Sequence, residues 1–280
     1  MLIKPNLLLA LRAADAASNR AAERLASGKR VSTAADDPLA FSRIAQTKAS
    51  ISTAGISLST LDFGISRLDG RDGILGTMQD TLMHFKDQAL RTTGTTSPAD
   101  VRPQLAELQK AMVSLANSKD ASGYMFSGTS TTAPFAANAA TQAVTYSGST
   151  NDQTISVEGI TLTGAMSGSP LMQVFGAMQD VLDTTAAGQQ VSAAQMAALE
   201  SAVDTVSGLR TKGAAETNAA EDVQSGLISR RDNYQAQVDK LENADYAEES
   251  ANLSNSQSQA QATLKVISME LNRKRLMDYL

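Results

Sequence analysis

The first stretch of the chain carries a regular pattern of apolar and small side chains. The gaps between these positions alternate between four and three residues. This spacing keeps one face of an α-helix turned towards a partner and is typical of a coiled-coil seam. The positions that form this first seam are Leu7, Leu11, Ala14, Ser18, Ala21 and Leu25.

The same spacing returns near the other end of the chain. There the alternating positions are Leu253, Gln257, Ala260, Leu264, Ile267 and Leu271. Two matching seams predict that the two terminal helices pack against each other as an antiparallel pair. We expect the apolar members of both seams to be the residues through which the terminal helices assemble.

Longer helices are predicted between the two ends. An apolar stripe runs from Leu61 to Ala89, a shorter one from Leu105 to Leu115, and a third from Val174 to Leu182. A fourth extends from Met196 to Leu241. Four glycines weaken the first of these stripes by ~1 kcal/mol each relative to alanine, so packing must hold that helix.

The middle of the chain, residues 123–169, has a different character. Ser, Thr, Gly and Ala crowd this segment, and helical periodicity is lost. Val144–Tyr146 is a predicted strand that turns at 147–152 and returns as Thr154–Val157. Another turn then leads to a strand at Ile160–Leu162. These strands predict a small β-rich insert.

The stretch "SGKRVSTAADDP", from Ser27 to Pro38, interrupts the helical pattern after the first seam. Gly28 is suited to end the first helix. The next two residues, Lys29 and Arg30, are cations that would interact favourably with the partial negative charge at the C-terminal end of that helix. Asp36, Asp37 and Pro38 then form a start signal for the next helix. We interpret this stretch as a joint between two helical rods.

A matching interruption precedes the last seam, in "NADYAEE", from Asn243 to Glu249. Asp245 followed by Glu248 three residues later fits a capping box, and Asp245 and Tyr246 are the predicted joint residues here. Two antiparallel rods should break at the same height. The second interruption therefore supports the interpretation of both stretches as joints.

The Gly-Lys pair in the first joint also raises the possibility of a phosphate-binding loop. Such a loop needs a glycine five residues before the pair and Ser or Thr after the lysine. Glu23 and Arg30 occupy those positions, so this alternative is disfavoured.

The fold predicted from these patterns is mainly α. A long antiparallel bundle or coiled coil is built from both termini, and a small β-rich domain is inserted in the middle. We expect terminal helices at 1–35 and 245–280 to form an inner coiled-coil domain. Residues 36–122 and 170–244 would form a helical rod, and 123–169 an outer domain.

Composition narrows the function classes. The net charge is −5, which argues against a dedicated nucleic-acid binder, and no apolar window is long enough for a membrane span. The absence of cysteine removes disulfides and Cys-ligated metals. His84, flanked by Asp80 and Asp87 on one helix face, is the only candidate centre, and a solvated face is the simpler interpretation. We predict no catalytic residue, metal or cofactor.

Four motifs give the chain a resemblance to a known family. They are "RLASGKRVSTAADDP" (24–38), "LANSKDASGYMFSGTSTTAPF" (115–135), "LENADYAEESANLS" (241–254) and "RLMDYL" (275–280). The sequence resembles the flagellin superfamily and, within it, the hook-associated protein 3 family of hook–filament junction proteins. It departs from that family at its start, which reads "MLIKP", and at Met277, where the family often has Phe.

The resemblance implies a structural subunit that is exported unfolded, without a cleaved signal peptide, by the flagellar secretion apparatus. Its implied location is the extracellular flagellum, between hook and filament. The implied partners are further copies of the chain, the first hook-associated protein, flagellin and an export chaperone, with no nucleic acid and no membrane. Members of the family typically order their terminal helices only on assembly. Alternatives left open are filament flagellin, an intracellular helical scaffold and an enzyme built around His84.

Overall fold

A computed structural model describes residues 5–94, 96–139 and 141–277 of the chain. Its helices are α1 (Pro5–Ser27), α2 (Pro38–Arg91), α3 (Pro98–Ala116), α4 (Leu171–Ala186), α5 (Ala193–Glu242) and α6 (Tyr246–Met277). Its strands are β1 (Lys119–Asp120), β2 (Gly123–Tyr124), β3 (Phe135–Ala137), β4 (Val144–Tyr146), β5 (Gln153–Val157) and β6 (Ile160–Ala165). The predicted fold class, mainly helical with a small β insert, is confirmed.

The chain divides into two compact units. One contains the described residues up to Gly55 together with those from Ser229 onwards, and the other spans Ile56–Ile228. Each of the long helices α2 and α5 contributes residues to both units. The three-part division expected from the sequence stays a prediction.

The core of the second unit is built from the apolar stripes of its helices. Phe85 on α2, Leu105 on α3 and Phe175 on α4 are fully or almost fully buried in one cluster. Leu199 and Val206 of α5 belong to the same cluster. The helical stripes found in the sequence are therefore the faces that pack together.

The strand pairing differs from the prediction. Val144–Tyr146 does not return as β5 but pairs antiparallel with β3, so that Phe135 lies opposite Tyr146. Strand β5 pairs with β6 instead. The segment after β4 is bound elsewhere, since the N–H of Ser149 donates to the Ser127 carbonyl at 2.9 Å.

An asparagine side chain helps to set the position of β3. The Asn117 amide donates to the carbonyl of Phe135 at 2.8 Å and accepts from its N–H at 3.0 Å. The Phe135 ring then packs 5.1 Å from Tyr146 and 5.3 Å from Phe175, measured between ring centroids. These contacts join the β insert to α4.

The hairpin of β5 and β6 is anchored to the helices by buried charges. Arg67 donates to the Gly164 carbonyl at 2.6 Å, and Arg71 donates to the Thr163 carbonyl at 2.9 Å. Glu216 of α5 accepts from the N–H of Thr163 at 2.8 Å. Burial lowers the pKa of Arg71, and the neighbouring Glu216 carboxylate opposes that change.

The first unit has a smaller apolar core. Val31, from the joint between α1 and α2, is buried with Ala40 and Ile44 of α2 and Val238 of α5. The joint is thus packed into the helices by an apolar side chain.

Candidate functional site

The terminal helices α1 and α6 pack along each other. Where α1 ends and α6 begins, the N–H of Ala244 donates to the Gly28 carbonyl at 3.0 Å. Lys29 and Asn243 form an antiparallel bridge beside it. The end of one helix therefore lies next to the start of the other, and the expected antiparallel pairing is confirmed.

Small and polar side chains occupy the closest part of this helix pair. Ala14 and Ala21 of α1 are each 4% exposed, and Glu249 and Ser256 of α6 are each 5% exposed. Small residues let two helix backbones approach closely, so less apolar side-chain area is buried between them. The other predicted seam residues that are half-buried are Leu7, Leu11, Ser18, Leu25, Leu253, Ala260, Ile267 and Leu271.

Leu264 does not lie in the seam within one chain. It remains 51% exposed, whereas its neighbour Thr263 is half-buried. About two turns earlier, Ser256 is buried and Gln257 is exposed. At both positions the seam prediction chose the larger residue of the two neighbours, Gln257 and Leu264. The structure places the smaller residue inside because close packing favours it.

Large apolar side chains lie on the outer surface of the same helices. Leu9 of α1 is 62% exposed and Met269 of α6 is 59% exposed. Leu8, Leu264 and Val266 are also exposed. The pair thus has small residues inside and larger apolar residues outside, which is typical of a surface that is buried against another molecule.

The first joint begins at Gly28, which follows the last residue of α1. Its φ is +67°, a left-handed conformation that glycine adopts without a steric penalty. The predicted end of the first helix is therefore confirmed. A Cβ at this position would meet no atom within 4 Å, so the backbone conformation alone accounts for glycine here.

Asp36 organises the turn that follows. One carboxylate oxygen accepts hydrogen bonds from the backbone N–H groups of Thr33 at 2.9 Å and Ser32 at 3.1 Å. The hydroxyls of the same two residues donate to that oxygen as well. The Thr33 hydrogen bonds are the main reason that the pKa of Asp36 falls to about 2.

Both predicted helix starts are confirmed. Asp37 accepts from the N–H of Ala40 at 3.0 Å, immediately before α2 begins at Pro38. Asp245 accepts from the N–H groups of Ala247 at 2.9 Å and Glu248 at 3.2 Å, immediately before α6 begins at Tyr246. The carboxylates satisfy N–H groups that have no partner within the helix.

The basic residues of the first joint act on a different helix from the one expected. Arg30 donates to the Leu241 carbonyl at 2.9 Å, and Lys29 lies 2.6 Å from Glu242. Both acceptors belong to the C-terminal end of α5. The prediction that these cations serve the end of α1 missed this contact because the contact partner is distant in sequence.

Glu242 is the charged centre of the joint. Its side chain also lies 2.6 Å from Lys48 of α2, so two ammonium groups contact one carboxylate. These two lysines lower the pKa of Glu242. A second ion pair, between Arg24 and Glu249 at 3.1 Å, joins α1 to α6 next to the joint. None of the partners Lys48, Glu242 and Glu249 was among the predicted site residues.

His84 lines a groove of the second unit, together with Gln88 of α2 and Pro103, Gln104, Glu107 and Leu108 of α3. Within 5–94, 96–139 and 141–277, no three His, Asp or Glu side chains are placed to hold a metal ion. In the same ranges, no helix combines the length and the apolar character that crossing a membrane requires. The motif at 275–280 lies outside the residues whose side chains the structure describes.

A family model described as the bacterial flagellin N-terminal helical region matches residues 3–131. Over this range the chain is similar to flagellin. The matched range includes α1, the first joint, α2 and α3, and so covers one half of the terminal helix pair. The matched family supports the expectation that this flagellin-like chain is a structural protein and not an enzyme.

Solved structures share the fold. FlgL from Bacillus cereus is 16% identical, with a TM-score of 0.58, over 68% of this chain and 96% of that one. A putative flagellar hook-associated protein from Vibrio parahaemolyticus is 17% identical, with a TM-score of 0.56, over 75% of this chain and 98% of that one. The comparison with curated proteins found no match to this chain.

Proposed function

We propose that this chain is a structural subunit of the bacterial flagellum that joins the hook to the filament. The observation that carries the proposal is the outer surface of the terminal helix pair. Leu9, Leu264 and Met269 are exposed there, while small residues such as Ala14 and Ala21 are buried inside. Burial of such side chains against neighbouring copies would stabilise a lattice, since each Leu or Met buried contributes ~1.5–3 kcal/mol.

The junction role is supported by the likeness to FlgL and to the hook-associated protein from Vibrio parahaemolyticus. Under this proposal the subunit contacts copies of itself, the first hook-associated protein on one side and flagellin on the other. An export chaperone holds it before secretion. The chain travels through the flagellar secretion apparatus without a cleaved signal peptide and acts outside the cell.

A second candidate is filament flagellin, because the matching family model is a flagellin model. Deletion of the gene separates the two functions. Loss of a junction protein should leave hooks without filaments and release flagellin into the medium. Loss of filament flagellin should leave hook and junction in place, with no flagellin in the medium.

The location of the protein gives an independent test. Antibody labelling of isolated flagella should mark a short zone at the hook–filament boundary. Labelling along the whole filament would favour flagellin, and retention of the protein inside the cell would favour a helical scaffold. Intact filaments after deletion, in a strain with no second copy of the gene, would contradict both flagellar functions.

A further inference from the structure

Glu242 is an anionic residue at a helix position that disfavours negative charge. It is the last residue of α5, where unpaired carbonyl groups give the helix a partial negative charge. The residue is also 8% exposed, so water does little to stabilise its carboxylate. A buried carboxylate at this place needs compensation from neighbouring groups.

That compensation comes from two other segments of the same unit. Lys29 of the first joint and Lys48 of α2 each lie 2.6 Å from the Glu242 carboxylate, one on each oxygen. Arg30 adds a third positive group, which binds the carbonyl of Leu241 at 2.9 Å. These three cations outnumber the Glu242 carboxylate. Their excess positive charge stabilises the partial negative charge at the C-terminal end of α5.

The backbone of the joint is fixed at the same point. The N–H of Arg30 donates to the Glu242 carbonyl at 2.7 Å, and the N–H of Ala244 donates to the Gly28 carbonyl at 3.0 Å. Val31 is buried against α2 and α5 in the adjoining core. The end of α1 and the start of α6 are therefore both tied to the end of α5.

We propose that the contact of Glu242 with Lys29 and Lys48 is a latch, which holds the ends of the two terminal helices side by side before those helices pair. More than two hundred residues separate Ser27 from Tyr246, so bringing their ends together costs chain entropy. The ion pairs of the latch offset this entropy cost within the folded first unit. Pairing of α1 with α6 then starts from a fixed end, which sets their register.

This inference does not rest on the proposed flagellar role, because it concerns the folding of a single chain. Hydrogen exchange on the full-length monomer tests it. In Glu242→Gln we expect the amides of Arg30, Val31 and Ala244 to exchange about tenfold or more faster, and those of Ile56–Ile228 to stay unchanged. Lys29→Met should act on the same amides, and combining it with Glu242→Gln should add little, since Glu242→Gln already removes the ion pair with Lys29.

The matched control is Glu200→Gln, which removes the exposed ion pair between Lys86 and Glu200 in the second unit. It should leave the joint amides unchanged. Joint amides that exchange at the wild-type rate in Glu242→Gln would overturn the latch. An equal loss of protection throughout 56–228 would also overturn it, because Glu242 would then be a general stability residue.

The order of events has its own test. Ala14→Pro breaks α1 in its interior, nearly four turns before the joint. We expect the Arg30 and Ala244 amides to keep their wild-type protection in this variant, because the latch precedes pairing. Loss of protection at these joint amides would show that pairing holds the joint, and would overturn the proposal.

Discussion

The carboxylate of Asp36 shows how one residue fixes a turn without being buried. It accepts hydrogen bonds from the backbone and hydroxyl groups of Ser32 and Thr33, and these bonds favour its charged form. Its pKa is about 2 in the folded chain, against an ordinary value of 3.8. A lowered carboxylate pKa stabilises the fold fully above the ordinary value, and this stabilisation is lost as pH falls through the lower one.

We therefore expect Asp36→Asn to change the acid sensitivity of the chain. The wild type should be more stable than the variant above about pH 5, and the difference should shrink towards about pH 2 as Asp36 takes up a proton. Denaturant unfolding of both proteins across this range measures the difference. A difference that stays constant from neutral pH to about pH 2 would contradict the role given to this carboxylate.

Helix α2 contains glycines in two different environments. A Cβ at Gly64 would come within 2.6 Å of the Leu162 side chain on β6, whereas a Cβ at Gly73 would meet no atom within 4 Å. Leu162 is itself buried. Gly64 is therefore required by the close approach of the hairpin, and Gly73 only weakens the helix.

Matched alanine substitutions should separate these two effects. Gly73→Ala should stabilise the protein by ~0.5–1 kcal/mol through helix propensity. Gly64→Ala should destabilise it by ~1–3 kcal/mol because the new methyl group crowds Leu162. Denaturant unfolding measures both. An equal gain from the two substitutions would mean that the hairpin does not press on α2 at Gly64.

At the scale of helices and strands, the sequence predicts those features that are determined by residues close together in the chain. The starts of α2 and α6 follow from Asp37 and Asp245, whose side chains cap N–H groups two or three residues away. The helical stripes also follow from periodicity alone. These features need no information about the rest of the chain.

The features that the sequence did not predict depend on contacts between residues that are far apart in the chain. Whether Ser256 or Gln257 faces α1 depends on how closely the two helices approach. The seven-residue spacing cannot decide, because it connects Ser256 to Thr263 just as it connects Gln257 to Leu264. The pairing of β4 with β3 depends on the amide of Asn117. Likewise, nothing near Lys29 in the sequence identifies Glu242 as its partner.

At the scale of the whole molecule, the two units differ in how they use apolar residues. The second unit buries its aromatic and large aliphatic side chains in one cluster. The terminal helices of the first unit bury alanines and leave larger apolar side chains exposed. The first unit therefore has more to gain from contact with another molecule.

The exposed position of Leu264 makes it a selective probe of assembly. Leu264→Asp should leave the folded monomer nearly as stable as the wild type, because the new charge stays in water. In a lattice the same charge would be buried without a partner, which costs several kcal/mol. We expect export to continue and assembly to fail. Leu11→Asp should also prevent assembly, but it can act within the monomer as well, since Leu11 is half-buried.

Gln259→Asp is the matched control, because it places the same charge at an exposed position on a different side of α6 from Leu264. Circular dichroism and denaturant unfolding of the purified variants report the monomer, and electron microscopy of flagella with secreted-protein assays reports assembly and export. If Leu264→Asp built normal flagella, this side of α6 would not be an assembly surface. If it lost stability as a monomer, Leu264 would instead contribute to the fold of the single chain.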